Sequence, residues 1–363
     1  MHYIRFLKSP KIVGEGNEKA LVAKITIATD LGESFLAADV GVDVRVVGSD
    51  GESVLGPGKE YMWKGREGMR SLEVSLPMRR VRKVDVMRMC VGATGEAYTD
   101  TFESVLGLDS QSKKVENRGG VVTARSLEID IRSGQNIGTG MAERVFKNER
   151  AEIHIWEETG ESIARHVWDA GLVLSSYIAS LPLPIDSSLP RLPILEATLS
   201  QPNLNILELG AGCGIVGITL LHTLPTPSQI LLTDLPEATE ILTHNLNPPL
   251  LGSLPSNSSK ISHQVLDWSS PLPPNVTAAR WDMVFVADCT YNPDVVPDLV
   301  KTLGRVAERS GGVRIVVAMK VRHESEMVFF ELMEERGFAV KEKAALALPV
   351  LGGEEEEIEV FVF

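Results

Sequence analysis

The spacing of apolar residues changes character twice along the chain. Over residues 1–108, short segments alternate apolar and polar, as in Leu21-Val22-Ala23-Lys24-Ile25-Thr26-Ile27 and Val40-Gly41-Val42-Asp43-Val44-Arg45-Val46. Successive side chains of a strand point to opposite faces, so this pattern predicts half-buried strands. Turn residues, Gly48-Ser49-Asp50-Gly51 and Gly56-Pro57-Gly58, separate such segments. A small β-sandwich or barrel is expected here. Residues 109–124 are polar and of mixed charge and read as a linker. Two more strands are predicted at 126–131 and 151–156, with Gly134, Gly138 and Gly140 between them. Ile163, Val167, Ala170, Leu174, Ile178 and Leu181 then recur at helical spacing, which predicts one helix over 160–181. The stretch 182–203 is rich in Pro, Ser and Leu and is not expected to form one regular element.

From residue 204 the pattern becomes strand, helix, strand, helix. Strands are predicted at 204–209, 229–234, 262–267, 282–287 and 313–319, and helices at 214–223, 236–246, 293–309 and 323–336. This alternation predicts a parallel sheet covered by helices on both faces. Residues 339–346 and 358–363 are expected to close the sheet as an antiparallel hairpin turning through Gly352-Gly353, and Glu354 to Glu357 read as a solvated acidic loop. The predicted fold class is α/β, with a Rossmann-like seven-stranded sheet over residues 125–363. A β-rich domain and its linker precede it over residues 1–124.

Composition narrows the setting. The length of 363 residues suits two domains, and 44% hydrophobic with 23% charged residues is ordinary for a globular protein. No run of about 18 uncharged apolar residues occurs, so no membrane span is expected. Met1-His2-Tyr3-Ile4-Arg5 lacks the apolar core of a signal peptide. Three cysteines, Cys90, Cys213 and Cys289, are too few for a disulfide framework. A reducing compartment is expected, the cytoplasm with the nucleus as a second site. The net charge of −13 is uneven, with +2 over residues 1–150 and −15 over 151–363. The second part would repel a nucleic acid backbone and attract basic partners, although plain solubility accounts for the charge equally well.

The candidate chemistry begins at Ile206-Leu207-Glu208-Leu209-Gly210-Ala211-Gly212-Cys213-Gly214. Glycines directly after an apolar strand let the backbone approach a ligand where a Cβ would clash. The dinucleotide fingerprint G-x-G-x-x-G fails, because its last position falls on Ile215. Gly210, Gly212 and Gly214 alternate instead, and S-adenosylmethionine (SAM), which has no pyrophosphate, does not demand the dinucleotide spacing. Glu208 is placed to act, directly or through water, on a cationic amino group. A tight strand-to-helix turn without a ligand is the structural alternative. Asp234 ends the second strand and suits the two hydroxyls of a ribose, or an N-cap before Pro236. Asp267 and Trp268 end the third, the Asp suited to an adenine amino group and the indole to the adenine face, or to the core. Trp168 lies on the predicted helix before the sheet, where an aromatic residue is usually core. Ala287-Asp288-Cys289-Thr290-Tyr291-Asn292 follows the fourth strand, where open α/β sheets bind ligands. Asp288 and Tyr291 are placed to flank an incoming amine; an Asx-type turn before Pro293 is the alternative. No His or Cys partners sit at metal spacing, and no metal is expected.

Together, the glycine turn, Thr233-Asp234-Leu235-Pro236, Asp267-Trp268, Asp288-x-x-Tyr291 and Val167-Trp168-Asp169-Ala170-Gly171 resemble the seven-β-strand protein-lysine methyltransferases of the methyltransferase-like 21 group, also called methyltransferase family 16. Fungal elongation-factor lysine methyltransferases belong to it. The resemblance covers roughly residues 125–363 and implies a SAM-dependent methyltransferase sheet. It implies that Trp168, Gly210, Ala211, Gly212, Asp234, Trp268 and Ala287 contact SAM. Glu208, Gly214 and Asp267 are added as cofactor-side candidates from the pattern itself. The resemblance further implies that Asp288 and Tyr291 serve the target lysine. The expected partner is a protein, such as a translation elongation factor or a chaperone-type ATPase, that presents a lysine in a basic region. No membrane or direct nucleic acid binding is expected, and the enzyme is expected to be a monomer. A small-molecule SAM-dependent methyltransferase and a non-catalytic interaction protein on the same fold are the alternatives. The first 124 residues depart from the family pattern.

Overall fold

The computed structural model describes residues 1–107, 120–138, 140–160, 162–181, 189–247, 260–353 and 356–363. Most of the expected linker, part of the 182–203 stretch, and Glu354 and Glu355 of the acidic loop lie outside the described residues. The chain divides into two compact units. The first holds Met1–Phe146, His154–His166 and Leu348–Glu356, and the second Lys147–Ile153, Val167–Ala347 and Glu357–Phe363.

The second unit is built on strands β1 Asn205–Leu209, β2 Gln229–Asp234, β3 Ile261–Val265, β4 Met283–Ala287, β5 Arg314–Met319, β6 Glu342–Leu348 and β7 Glu356–Val362. Their order is β3-β2-β1-β4-β5-β7-β6. Pairing is parallel from β3 to β5, and β7 runs antiparallel to β5. The strand order reverses between β1 and β4, the switch point at which open α/β sheets leave a crevice. Burial on both faces explains the nearly continuous apolar runs: Leu207 and Leu209 of β1, and Val284 and Val286 of β4, are fully buried.

The helices are α1 Asp169–Ser180, α2 Pro193–Leu199, α3 Ile215–Thr223, α4 Thr239–Asn245, α5 Pro274–Ala278, α6 Val296–Ser310 and α7 Val328–Glu335. Helix α6 shows the expected stripe: Leu299, Val300, Leu303 and Val306 enter the core, while Glu308 and Arg309 face water. Every residue of α1 is buried. Its Ser175, Ser176 and Ser180 are tolerated there because each hydroxyl donates to the carbonyl four residues back.

Three expectations need correction. The helix predicted over 160–181 begins only at Asp169. A 3₁₀ turn, Ile163–Arg165, precedes it, and Trp168 is extended at φ −104°, ψ 150°. The start is set by a tertiary partner: the Ala170 amide, an orphan donor of the first turn, is taken by Asp288. The segment predicted over 126–131 divides into Ala124–Ser126 and Ile129–Asp130. A strand at Met141–Lys147 was not expected, because its Glu143 and Arg144 mask the apolar pattern, yet both are buried.

The first unit contains two sheets. One has five strands in the order Leu72–Pro77, Ala20–Thr29, His2–Val13, Val121–Val122 and Tyr98–Thr99. The other runs Glu152–Glu158, Met141–Lys147, Ala124–Ser126, Val86–Ala93, Asp39–Val47 and Lys59–Lys64, with Ile129–Asp130 pairing on Val86–Ala93. Alternate residues of both sheets, including Ile4, Ile25 and Ile27 from one and Val42, Val44 and Met89 from the other, share one core. The buried Arg144 joins Glu157 at 2.5 Å and donates to the carbonyls of Ile4 and Thr123 at 2.7 and 2.8 Å. Its charge is thus both paired and hydrogen-bonded, the condition under which a buried ion is tolerated.

Candidate active site

The turn after β1 needs its glycines. Gly210, Gly212 and Gly214 take φ of 70°, 55° and 80°, which L side chains rarely adopt. A Cβ on Gly210 would also run into the Cys289 sulfur and lie 3.4 Å from the Trp268 ring. Four N–H groups of this turn are already used. Gly210 and Ala211 donate to the Thr233 carbonyl at 2.9 and 3.0 Å, Gly212 to Asp234 Oδ2 at 2.7 Å, and Gly214 to the Ala211 carbonyl at 2.7 Å. A phosphate cradle requires free amides, and these four are not free.

Carboxylates surround the turn instead. Glu208 is 2% exposed, and its Oε2 accepts the Gly217 amide of α3 at 2.8 Å. A Cβ on Gly217 would collide with Leu232 and lie 2.8 Å from Glu208 Oε2, so the glycine lets the carboxylate reach the helix. Burial, with the nearby Asp234 charge adding to it, pushes the Glu208 carboxyl up to about 8. Burial also raises Asp234, whose Oδ1 accepts the Leu235 amide at 2.7 Å. An ionised carboxylate offers about four acceptor positions, so Asp234 keeps acceptor capacity for hydroxyl groups. A pocket lined by buried acids suits a ligand carrying ammonium and sulfonium charges better than a pyrophosphate. The residues present therefore fit SAM.

Beyond β4, Ala287 is half-buried and Asp288 takes φ 53°, one of two non-glycine residues with positive φ among the described residues. Such strain persists only where surroundings impose it. Asp288 Oδ2 accepts the Ala170 amide at 2.8 Å, and Oδ1 accepts Arg322 Nη1 at 3.0 Å. The Arg322 guanidinium lies 5.8 Å from the centre of the Trp168 ring. Lys320 Nζ meets Asp169 Oδ2 at 3.1 Å. The segment Trp168-Asp169-Ala170 is thus bound to the ends of β4 and β5. The Cys289 thiol is buried and donates to the Ala287 carbonyl at 3.2 Å, and burial holds it well above its ordinary range. Tyr291 is 50% exposed, and partial burial raises its phenol.

The structure brings together Glu208, Gly210, Ala211, Gly212, Gly214, Asp234, Trp268, Ala287 and Asp288 beyond the carboxyl ends of β1, β2, β3 and β4, and attaches Trp168 through Arg322. Trp168 stands just before α1, half-buried, where sequence spacing had put it on a helical face. Asp267 is exposed and folds back onto Ser269, accepting its amide and hydroxyl at 2.9 and 2.8 Å. Those bonds hold its carboxyl below the usual range. Sequence reasoning missed Lys320, Arg322 and Gly217. The rule that ligands bind beyond the strand ends would have pointed to Lys320-Val321-Arg322, directly after β5. Among the described residues no group of three or more His, Cys, Asp or Glu could hold a metal ion, and no helix is long and apolar enough to cross a membrane.

Residues 147–336 match the family model for lysine methyltransferases. The chain is 24% identical to the UPF0665 family protein C23C4.06c of Schizosaccharomyces pombe, over 93% of this chain and 96% of that one, so the likeness extends over both units. It is 28% identical to protein N-lysine methyltransferase METTL21A of Xenopus tropicalis, covering 52% of this chain and 75% of that one. Identity to protein-lysine N-methyltransferase EFM6 of Saccharomyces cerevisiae is 27%, over 52% and 77%. The match spans the glycine turn, the carboxylates behind it and the Asp288 loop; the chain therefore belongs to the lysine methyltransferase family and is a SAM-dependent protein-lysine N-methyltransferase.

Proposed function

We propose that SAM binds over Gly210, Ala211, Gly212 and Gly214, with Glu208 toward its amino group and Asp234 toward its ribose. Trp268, Asp267 and Ala287 then border the adenine side, and Trp168 closes the site from the start of α1. Asp288 and Tyr291 receive the target lysine. The acceptor is a protein that presents this lysine in a basic region, such as a translation elongation factor or a chaperone-type ATPase. The enzyme acts as a monomer in the cytoplasm, with the nucleus as a second site.

The observation that carries this reading is the strained Asp288. Its left-handed backbone turns a carboxylate inward at the strand end beside the glycine turn, with 3% of the side chain exposed. When bound, SAM supplies an electrophilic methyl group on a positively charged sulfur. The chain's own residues must deliver a lysine nitrogen with a free lone pair. Free lysine titrates near about 10.4, and a desolvated site disfavours its charge. Asp288 aligns the side chain, and Tyr291, half in water, guides it inward. Alignment of this kind converts a bimolecular encounter into an oriented one, which is a large part of the available acceleration. The acidic balance of residues 151–363 supports a basic acceptor surface.

The test is incubation of the purified protein with methyl-labelled SAM and a lysate from cells lacking it, followed by gel and mass spectrometry. A labelled band carrying a methylated lysine is expected. Measurable SAM binding with no labelled protein would favour a small-molecule acceptor.

A further inference from the structure

Exposed apolar side chains are unevenly placed on the second unit. Single ones are normal on any protein surface, and only their grouping carries meaning. Among the described residues of this unit, seven large hydrophobic side chains are more than a third exposed. Six of them, Leu235, Val265, Tyr291, Val295, Val321 and Met327, lie at or beyond the carboxyl ends of β2 to β5. The seventh, Val340, lies at the opposite end of the sheet: its neighbour Lys341 donates to the Val362 carbonyl, and Ile315, near the start of β5, donates to the Phe363 carbonyl. The strand order divides the six. On one side of β1 and its glycine turn are β2 and β3, where Leu235 follows Asp234 and Val265 pairs with it. On the other are β4 and β5, and the segments after them carry Tyr291, Val295, Val321 and Met327.

Polar bonds draw three of these four into one patch. The Glu326 carboxylate, 2% exposed, accepts the Arg322 and His323 amides at 2.9 and 3.2 Å and the Thr290 hydroxyl at 3.4 Å. Tyr291 follows Thr290, Val321 precedes Arg322, and Met327 follows Glu326, so each stands one residue from a group in this buried junction. Arg322 Nη1 donates to Asp288 Oδ1 at 3.0 Å, which sets the patch beside Asp288. Tyr291, Val321 and Met327 are 50%, 43% and 46% exposed. The backbone of both loops is thus held by buried polar bonds while their apolar side chains stand in water, as in a surface organised before its partner arrives. We propose that Val295, Val321 and Met327, with Tyr291, form an apolar rim on which the acceptor protein docks, and that the acceptor carries exposed apolar side chains beside its target lysine. The inference rests on the reading of Asp288 as the lysine-facing carboxylate, because a protein whose lysine reaches Asp288 must lie against this rim. The negative balance of residues 151–363 acts at longer range, on encounter, and the rim acts at contact.

The test takes the acceptor that wild type labels in the lysate, identified by mass spectrometry and purified unmethylated, and measures initial rates with the full chain. Val321→Ser and Met327→Ser should each raise the KM for this acceptor about tenfold, with kcat and SAM affinity unchanged. Val340→Ser, the same kind of loss at the opposite end of the sheet, should change none of these. Added salt should slow encounter for every variant alike and leave the ratios between them unchanged. On the acceptor, Ser in place of the apolar residues beside the methylated lysine should raise KM similarly and add little to the effect of Met327→Ser. An acceptor KM that neither Val321→Ser nor Met327→Ser moves, or a methylated lysine with only polar neighbours, would overturn the proposal. So would a wild-type dimer in sedimentation that these substitutions dissolve, since the rim would then take a second copy of this chain. Failure of the underlying reading looks different: wild type labels no lysine, or Asp288→Asn transfers normally, and the proposal falls with it.

Discussion

Replacing Glu208 by Gln should stabilise the second unit in a strongly pH-dependent way. Glu208 rises from 4.5 to about 8 because burial penalises its charge. A carboxyl raised in the folded state binds more protons folded than unfolded. The stability that its neutral form permits is therefore complete below about pH 4.5 and is lost as pH rises toward about 8. The slope is about 1.4 kcal/mol per pH unit, so near pH 7 the wild type has lost about 3 kcal/mol. Gln cannot ionise and can still accept the Gly217 amide, so Glu208→Gln avoids that loss. Amide hydrogen exchange in β1 and β2, corrected for intrinsic rates, reports opening of this unit. Exchange protection in the variant should exceed that of wild type increasingly between about pH 5 and 8. The same substitution should weaken SAM binding, because the neutral amide offers no charge to the amino group. In wild type, binding near neutral pH should release a proton, detectable by calorimetry in buffers of different ionisation enthalpy. A flat stability difference across this range, together with unchanged SAM affinity, would refute the reasoning.

Three further outcomes follow from the packing. Gly210→Ala forces a side chain into φ 70° and onto the Cys289 sulfur, and should cost at least about 1–2 kcal/mol and most SAM affinity, with Gly210→Ala/Cys289→Ala recovering part of the loss in thermal melts. Asp288→Asn keeps a residue tolerant of left-handed backbone but removes the carboxylate charge that meets Arg322; methyl transfer should be lost while SAM binding, followed by calorimetry, changes only a few-fold. Asp288→Ala is a poorer test, because the Ala170 amide beside Trp168 loses its acceptor as well. In the first unit, Glu157→Gln strands the fully buried Arg144 and should cost about 3–5 kcal/mol in denaturant unfolding.

Much of the second unit was legible in the sequence. The strands predicted at 229–234 and 282–287 lie at Gln229–Asp234 and Met283–Ala287. Local rules suffice there, because a strand buried on both faces must be apolar throughout. Met141–Lys147 was hidden because its charges are paired through residues distant in sequence, Arg88 and Glu157.

The sequence by itself determined the alternation of strands and helices, the glycine turn and the family resemblance, since each is written in neighbouring residues. Tertiary structure alone decided where α1 starts, why Gly217 is a glycine, and what holds Asp288. The Ala170 amide, Asp288 and Arg322 are separated by 118 and 34 residues along the chain and meet only at the strand ends. The ionisation of Glu208 and the pairing of Asp288 depend on burial and on partners brought from other strands. Composition and spacing carry no record of either.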